Sequence, residues 1–153
     1  MRITIAAVGR GRSGPEQQLY ETYVKRSSWP LALKEVEAKK GLEGEALKAA
    51  EAKLLLEAAP KGALLVALDE RGRNITSMKL AEWIEAKQVD GKSDLCFLIG
   101  GADGLDPAVR AQADLVLACG SLTWPHLLVR AMLAEQIYRC QQILAGHPYH
   151  REG

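Results

Sequence analysis

Residues 94–105 read DLCFLIGGADGL: a short run, Asp94 to Ile99, apolar after its first residue, then the pair Gly100 and Gly101 and a polar turn. An apolar run of four to eight residues bounded by turn residues fits a strand buried on both faces, as in parallel sheets covered by helices. Runs of the same kind recur at Arg2 to Val8, Leu31 to Val36, Ala63 to Leu68 and Leu115 to Ala118. Between them lie helix signals. Pro15 and Glu16 after Ser13 open a helix to about Arg26, and Glu43 to Ala59, rich in alanine, leucine, lysine and glutamate, forms another that stops before Pro60. Thr76 can cap a helix to about Val89 with Gly91 as its stop, and Asp106 with Pro107 makes a further cap and first turn. Strand and helix alternate along the whole chain, which predicts an α/β layer fold with a mainly parallel sheet and one domain over residues 1–153.

Composition narrows the function classes. Of 153 residues, 48% are hydrophobic but only 5% aromatic, so the core must be aliphatic. The net charge is +1, so no global field draws the chain to nucleic acid or an anionic membrane. Residues 1–40 are locally basic, with eight basic and four acidic side chains, and any anion-attracting face should draw on Arg10, Arg12, Lys25 and Arg26. Cys96, Cys119 and Cys140 are odd in number and far apart, which argues against a disulfide framework or a zinc site and for a reducing compartment. The apolar start ITIAAV is too short for a signal-peptide core, and no run reaches the roughly 18 apolar residues that span a bilayer. These readings predict a cytoplasmic protein with no membrane partner and no metal.

Several segments invite chemistry. GRGRSG at Gly9 to Gly14 follows a strand and opens a helix, satisfying the GxGxxG pattern of a dinucleotide site, with Glu35 or Glu37 in the ribose position. A nicotinamide-dependent oxidoreductase is therefore one reading, and a basic surface loop the other, since Arg10 and Arg12 crowd the turn. Gly100 and Gly101 lack β-carbons, which allows a ligand or simply a tight turn at a strand end; open α/β sheets bind ligands beyond those carboxyl ends. Leu68 before Asp69, and CGSLTWPH at Cys119 to His126, stand at two further strand ends, so three loops could share one pocket. The tail HPYHRE, His147 to Glu152, offers imidazoles but lacks a fourth metal ligand beside Cys140. The segment from Leu127 to Leu144 is apolar on more than one side, which predicts a helix packed against both its own sheet and a partner chain, through a face including Met132 and Leu133. No nucleophile triad, P-loop or HExxH is present.

MRITIAAVGR, LIGGADGL, SLTWPHLLVRAMLAEQIYR and HPYHRE, in that order along the chain, resemble the RlmH family of small SPOUT methyltransferases. The resemblance runs end to end and is densest from Leu98 to Glu152. It implies a knotted α/β domain with a C-terminal trefoil knot, a homodimer, and methylation of the imide nitrogen (N3) of a pseudouridine in large-subunit ribosomal RNA, with the ribosome as partner. It further implies S-adenosyl-L-methionine bound bent against Leu68, Gly100, Cys119, Gly120, Ser121, Leu122, Thr123 and Trp124. Candidates for orienting or activating the substrate are His126, Arg130, Tyr149, His150 and Arg151, of which Arg130 and His150 are the expected catalytic pair; the proton acceptor stays open among them. A tail that completes the neighbouring subunit's site belongs to the same resemblance, as does the alternative of a non-catalytic ribosome-binding dimer. Trp124 and Leu127 depart from the family's usual residues, which bears on cofactor affinity rather than reaction type.

Overall fold

The computed structural model describes residues 1–151, so Glu152 of the tail lies outside the described residues. Five strands and five helices alternate: β1 (Arg2–Val8), α1 (Pro15–Arg26), β2 (Leu31–Val36), α2 (Gly44–Ala58), β3 (Leu64–Arg73), α3 (Ser77–Val89), β4 (Asp94–Ile99), α4 (Pro107–Gln112), β5 (Leu115–Leu117) and α5 (His126–Leu144). All strands pair in parallel, in the order β2-β1-β4-β3-β5.

Period-2 alternation sends each strand's side chains to two different helical layers. Ile3, Ile5, Leu64, Val66, Leu95, Phe97, Ile99, Leu115 and Leu117 face a core shared with Tyr20 of α1, Leu80 and Ile84 of α3, and Ala134 and Ile137 of α5. Ala6, Ala67, Cys96 and Leu98 face Ala52 and Leu55 of α2 and Val109 of α4. The two central strands β1 and β4 are covered on both sides, which is why they read as continuous apolar runs. Thr76 caps α3 by accepting from the Lys79 amide at 3.1 Å, and Asp106 caps α4 by accepting from Ala108 at 2.8 Å.

Strand β3 departs from the expected end at Leu68. It runs on to Arg73, with an irregularity in which both Leu68 and Arg73 pair with Leu117. The polar DERGR segment reads as a turn, yet Asp69 accepts from the Arg71 amide at 2.8 Å, and the Ala118 amide donates to the Arg73 carbonyl at 3.0 Å. Gly72 permits this close passage. A β-carbon there would stand 2.7 Å from the Val116 carbonyl group.

Helix α5 buries Ala131, Leu133, Ala134, Ile137, Cys140 and Gln141 against α1, α3 and the sheet. Leu133 is buried in the chain's own core and also borders a groove of 470 Å³ between α1, α3 and α5, which Met132 lines together with Leu19, Tyr23 and Ile75. Among the described residues, no helix is long and apolar enough to cross a membrane.

Candidate functional site

The loops after β3, β4 and β5 close around a cavity of 380 Å³ at the carboxyl ends of the strands. Leu68 contributes from β3 and Gly100 from β4. Cys119, Gly120, Leu122, Thr123 and Trp124 contribute from the segment before α5. Ser121 lies in that segment but does not line the cavity. Added to these are Asp69, Glu70, Asp103 and His126, none of which is apolar.

Local geometry explains each loop. The Gly104 amide donates to the Gly101 carbonyl at 3.0 Å, and Gly104 adopts φ +83, so the chain reverses at once after β4. A β-carbon on Gly100 would meet the Leu105 side chain at 2.9 Å, and one on Gly101 the Glu51 carboxylate at 2.9 Å. Gly100 also passes 3.1 Å from the Gly104 backbone, so close packing favours glycine there, while at Gly101 the neighbours are side-chain ends; both are set on the cavity wall. In the last loop the Trp124 indole donates to the Cys119 carbonyl at 3.0 Å, holding residues 119–124 as a closed flap whose Leu122 is largely exposed. The Asp69 carboxylate is nearly buried and stands 3.4 Å from Arg110, which also donates to the Leu105 carbonyl at 3.0 Å. That contact ties the β3 loop to the β4 loop.

The expected catalytic pair lies elsewhere. Arg130 is 3% exposed and does not line the cavity. Its guanidinium holds the Glu35 carboxylate at 2.6 Å and donates to the Gly9 carbonyl at 2.9 Å, while the Gly11 amide also donates to Glu35. The hydrogen bond from Arg130 is the main reason the Glu35 carboxyl sits below its ordinary pKa. Arg130 therefore latches the GRGRSG loop to α5. Glu35 is taken by this latch and Glu37 pairs with Arg10 at 2.9 Å, so both acids suggested for a ribose are engaged with protein.

His150 is 3.1 Å from Arg139 through Nδ1; a guanidinium only donates, so Nδ1 accepts. Arg139 pairs with Glu135 at 2.6 Å, and the Tyr149 hydroxyl donates to the same carboxylate at 3.0 Å. Tyr149 also packs edge-on against Tyr138 at 4.8 Å, and its phenol is raised in pKa, chiefly by burial. The tail thus docks along α5 of its own chain, beside the 470 Å³ groove rather than the strand-end cavity. Among the described residues no three His, Cys, Asp or Glu side chains gather as they would around an ion.

Arg110 and Glu51 are among the contributors that the sequence did not single out. For Glu51 a signal exists: it stands four residues before the fully buried Leu55 and beside Ala52, so a charge falls on the buried face of α2.

A family described as "Predicted SPOUT methyltransferase" matches residues 1–150. A ribosomal RNA large subunit methyltransferase H from Rhodospirillum centenum is 60% identical over 99% of both chains. Its namesake from Paramagnetospirillum magneticum is 56% identical over the same share. A solved structure described as "a probable methylase family protein" from Haemophilus influenzae Rd KW20 superposes with a TM-score of 0.53 at 12% identity, covering 99% of this chain and 70% of that one, which speaks to the fold. With a strand-end cavity of this geometry and a match running from the first residue to the tail, the chain belongs to the SPOUT methyltransferase family and is a methyl-transferring enzyme.

Proposed function

We propose that the protein methylates large-subunit ribosomal RNA, using S-adenosyl-L-methionine held in the strand-end cavity, with N3 of a pseudouridine as the acceptor. The observation that carries the reading is the convergence of the three strand-end loops on that one cavity. The residues fit the cofactor. Leu68, Leu122 and Trp124 offer apolar surface to an adenine, the glycine-lined wall admits a bent ligand, and Glu70 and Asp103, beside Asp69 and Arg71, put acids on the wall that suit a cationic ligand. When bound, the cofactor supplies an electrophilic methyl group on a sulfonium.

The chain's own part is to orient and to manage a proton. His126, on the cavity wall at the start of α5, is placed to contact the acceptor, whose imide N–H must lose its proton to become nucleophilic. Arg130 acts behind it as a latch, fixing the first turns of α5 so that this wall keeps its position. Alignment of donor and acceptor within about 3–3.5 Å supplies much of the acceleration in such transfers.

On the family resemblance we extend the proposal to a C-terminal knot and a second copy seated in the 470 Å³ groove. Leu117, Cys119 and Gly120 line both that groove and the cavity, so a partner in the groove would press on the cofactor flap. The tail, with Tyr149, His150 and Arg151, would then lie where it can serve the neighbour. Near-neutral charge disfavours naked RNA, because affinity for nucleic acid rests largely on phosphate contacts. An assembled ribosome in the cytoplasm is the substrate this charge balance suits.

Incubation with methyl-labelled S-adenosylmethionine and undermethylated ribosomes should label large-subunit RNA. Intact cofactor binding without RNA labelling would reject the acceptor. Melting offers a cheaper check: a ligand at 100 times its dissociation constant adds about 2.7 kcal/mol, so S-adenosylmethionine should raise Tm while NADP leaves it unchanged.

A further inference from the structure

Glu51 is the anomaly of the molecule. It is 8% exposed, and its Oε1 is fully buried with no hydrogen-bond partner among the described residues. A carboxylate oxygen in that state gives up hydration without gaining a hydrogen bond from the protein, which costs free energy. Its place is specific. The carboxylate packs against Gly101 on the cavity wall, in the space a side chain at that position would fill.

The charges around it divide. Asp103, from the loop after β4, repels it, and His126, from the start of α5, attracts it; burial and Asp103 together hold its carboxyl above the ordinary carboxylate range. Strand β1 presents Val8 to the same Gly101 position. From β2, Lys34 is engaged with the Ala58 carbonyl, and from α4, Arg110 is engaged with Asp69 and Leu105. No described cation forms an ion pair with Glu51, so its negative charge is left to act across Gly101 on the cavity side.

We propose that Glu51 is a positioning residue for a cationic ligand of the strand-end cavity, its buried carboxylate serving as the counter-charge behind Gly101. The identity of that cation, the sulfonium and ammonium of S-adenosylmethionine, rests on the functional reading above. Acting through the Gly101 turn and the field it sets up, Glu51 favours a positively charged occupant over a neutral nucleoside. Ionisation and binding are then linked. A carboxyl raised in pKa is neutral at low pH, a cation favours its ionised form, so binding expels the proton and tightens as pH rises.

The test uses the full chain and its isosteric variant Glu51→Gln, titrated calorimetrically with S-adenosylmethionine and with adenosine, which lacks both cationic groups. The variant should bind S-adenosylmethionine at least tenfold more weakly and adenosine within twofold of wild type. Its apo Tm should equal or exceed that of wild type, since the cost of burying an ionisable carboxyl with an unpartnered oxygen has been removed. Below neutral pH, wild-type affinity for S-adenosylmethionine should climb with pH, and the part of that climb due to Glu51 should vanish in the variant, where Asp103 and His126 remain. Equal weakening of both ligands, or a lower apo Tm, would make Glu51 a structural support and overturn the proposal, as would unchanged S-adenosylmethionine affinity. Failure of wild type itself to bind S-adenosylmethionine would overturn the cofactor reading, and the proposal with it, by a result visible before any variant is compared.

Discussion

A guanidinium that keeps 3% of its surface in water must find acceptors inside the protein, and Arg130 finds Glu35 and the Gly9 carbonyl. Arg130→Ala should cost about 1.5–3 kcal/mol in urea denaturation, the range for hydrogen bonds to charged groups. Glu35→Gln should cost less, because Glu35 is about one-third exposed and the amide can still accept. The Glu35 carboxyl is depressed by Arg130, so the latch is at full strength above the ordinary carboxylate pKa and weakens as pH falls below it. Stability measured from pH 7 down to 3 should therefore drop less steeply in Glu35→Gln than in wild type. The cysteines make a second case. Burial lifts the Cys96 thiol to about 11 and the Cys140 thiol to about 12, so neither should alkylate near pH 8 unless the chain unfolds. Cys119 is exposed on the cavity flap and should react first, more slowly once S-adenosylmethionine is bound. Equal labelling with and without that ligand, read by mass spectrometry, would remove it from the flap.

At the scale of the element, β3 and its neighbour β5 are where the sequence says least. Apolar runs disclose β1, β2 and β4 to the residue, because burial on both faces or a sharp polar boundary marks their ends. The extension of β3 through Asp69 to Arg73 was not legible, since five residues of which four are charged signal a turn; the pairing with Leu117 and Ala118 that recruits them is a contact across more than 40 residues. Gly72 reports on that pairing. Gly72→Ala places a β-carbon against backbone that cannot swing aside, and should destabilise the fold by about 1–3 kcal/mol in thermal or urea unfolding. A neutral result would mean that β5 can slide away from β3 without loss.

Across the whole molecule, the layered architecture was readable from the alternation of short apolar runs and capped helices, while the site was readable only in part. Glycines and small residues at strand ends mark the cavity, but the role of Arg130 depends on where α5 points it and that of His150 on where the tail docks, and a sequence carries neither the rotation of a helix on its sheet nor the path of a tail. Arg130 turns inward to the first loop and His150 lies against Arg139. The same rotation buries Leu133 in the core at the edge of the groove and leaves Met132 to line it. Met132→Arg should therefore leave the monomer folded by circular dichroism and yield monomers in light scattering if a second copy occupies that groove. A persistent dimer would place the interface on another surface.

The clasp between the first loop and the final helix also sets an order on manufacture. Glu35 emerges from the ribosome 95 residues before the arginine that neutralises it, and the faces of β1 and β4 that await α5 stay bare until almost the last turn of translation. A product truncated before residue 126 would carry an open greasy flank and a loop with no anchor, so any prematurely stopped chain should be insoluble and quickly degraded.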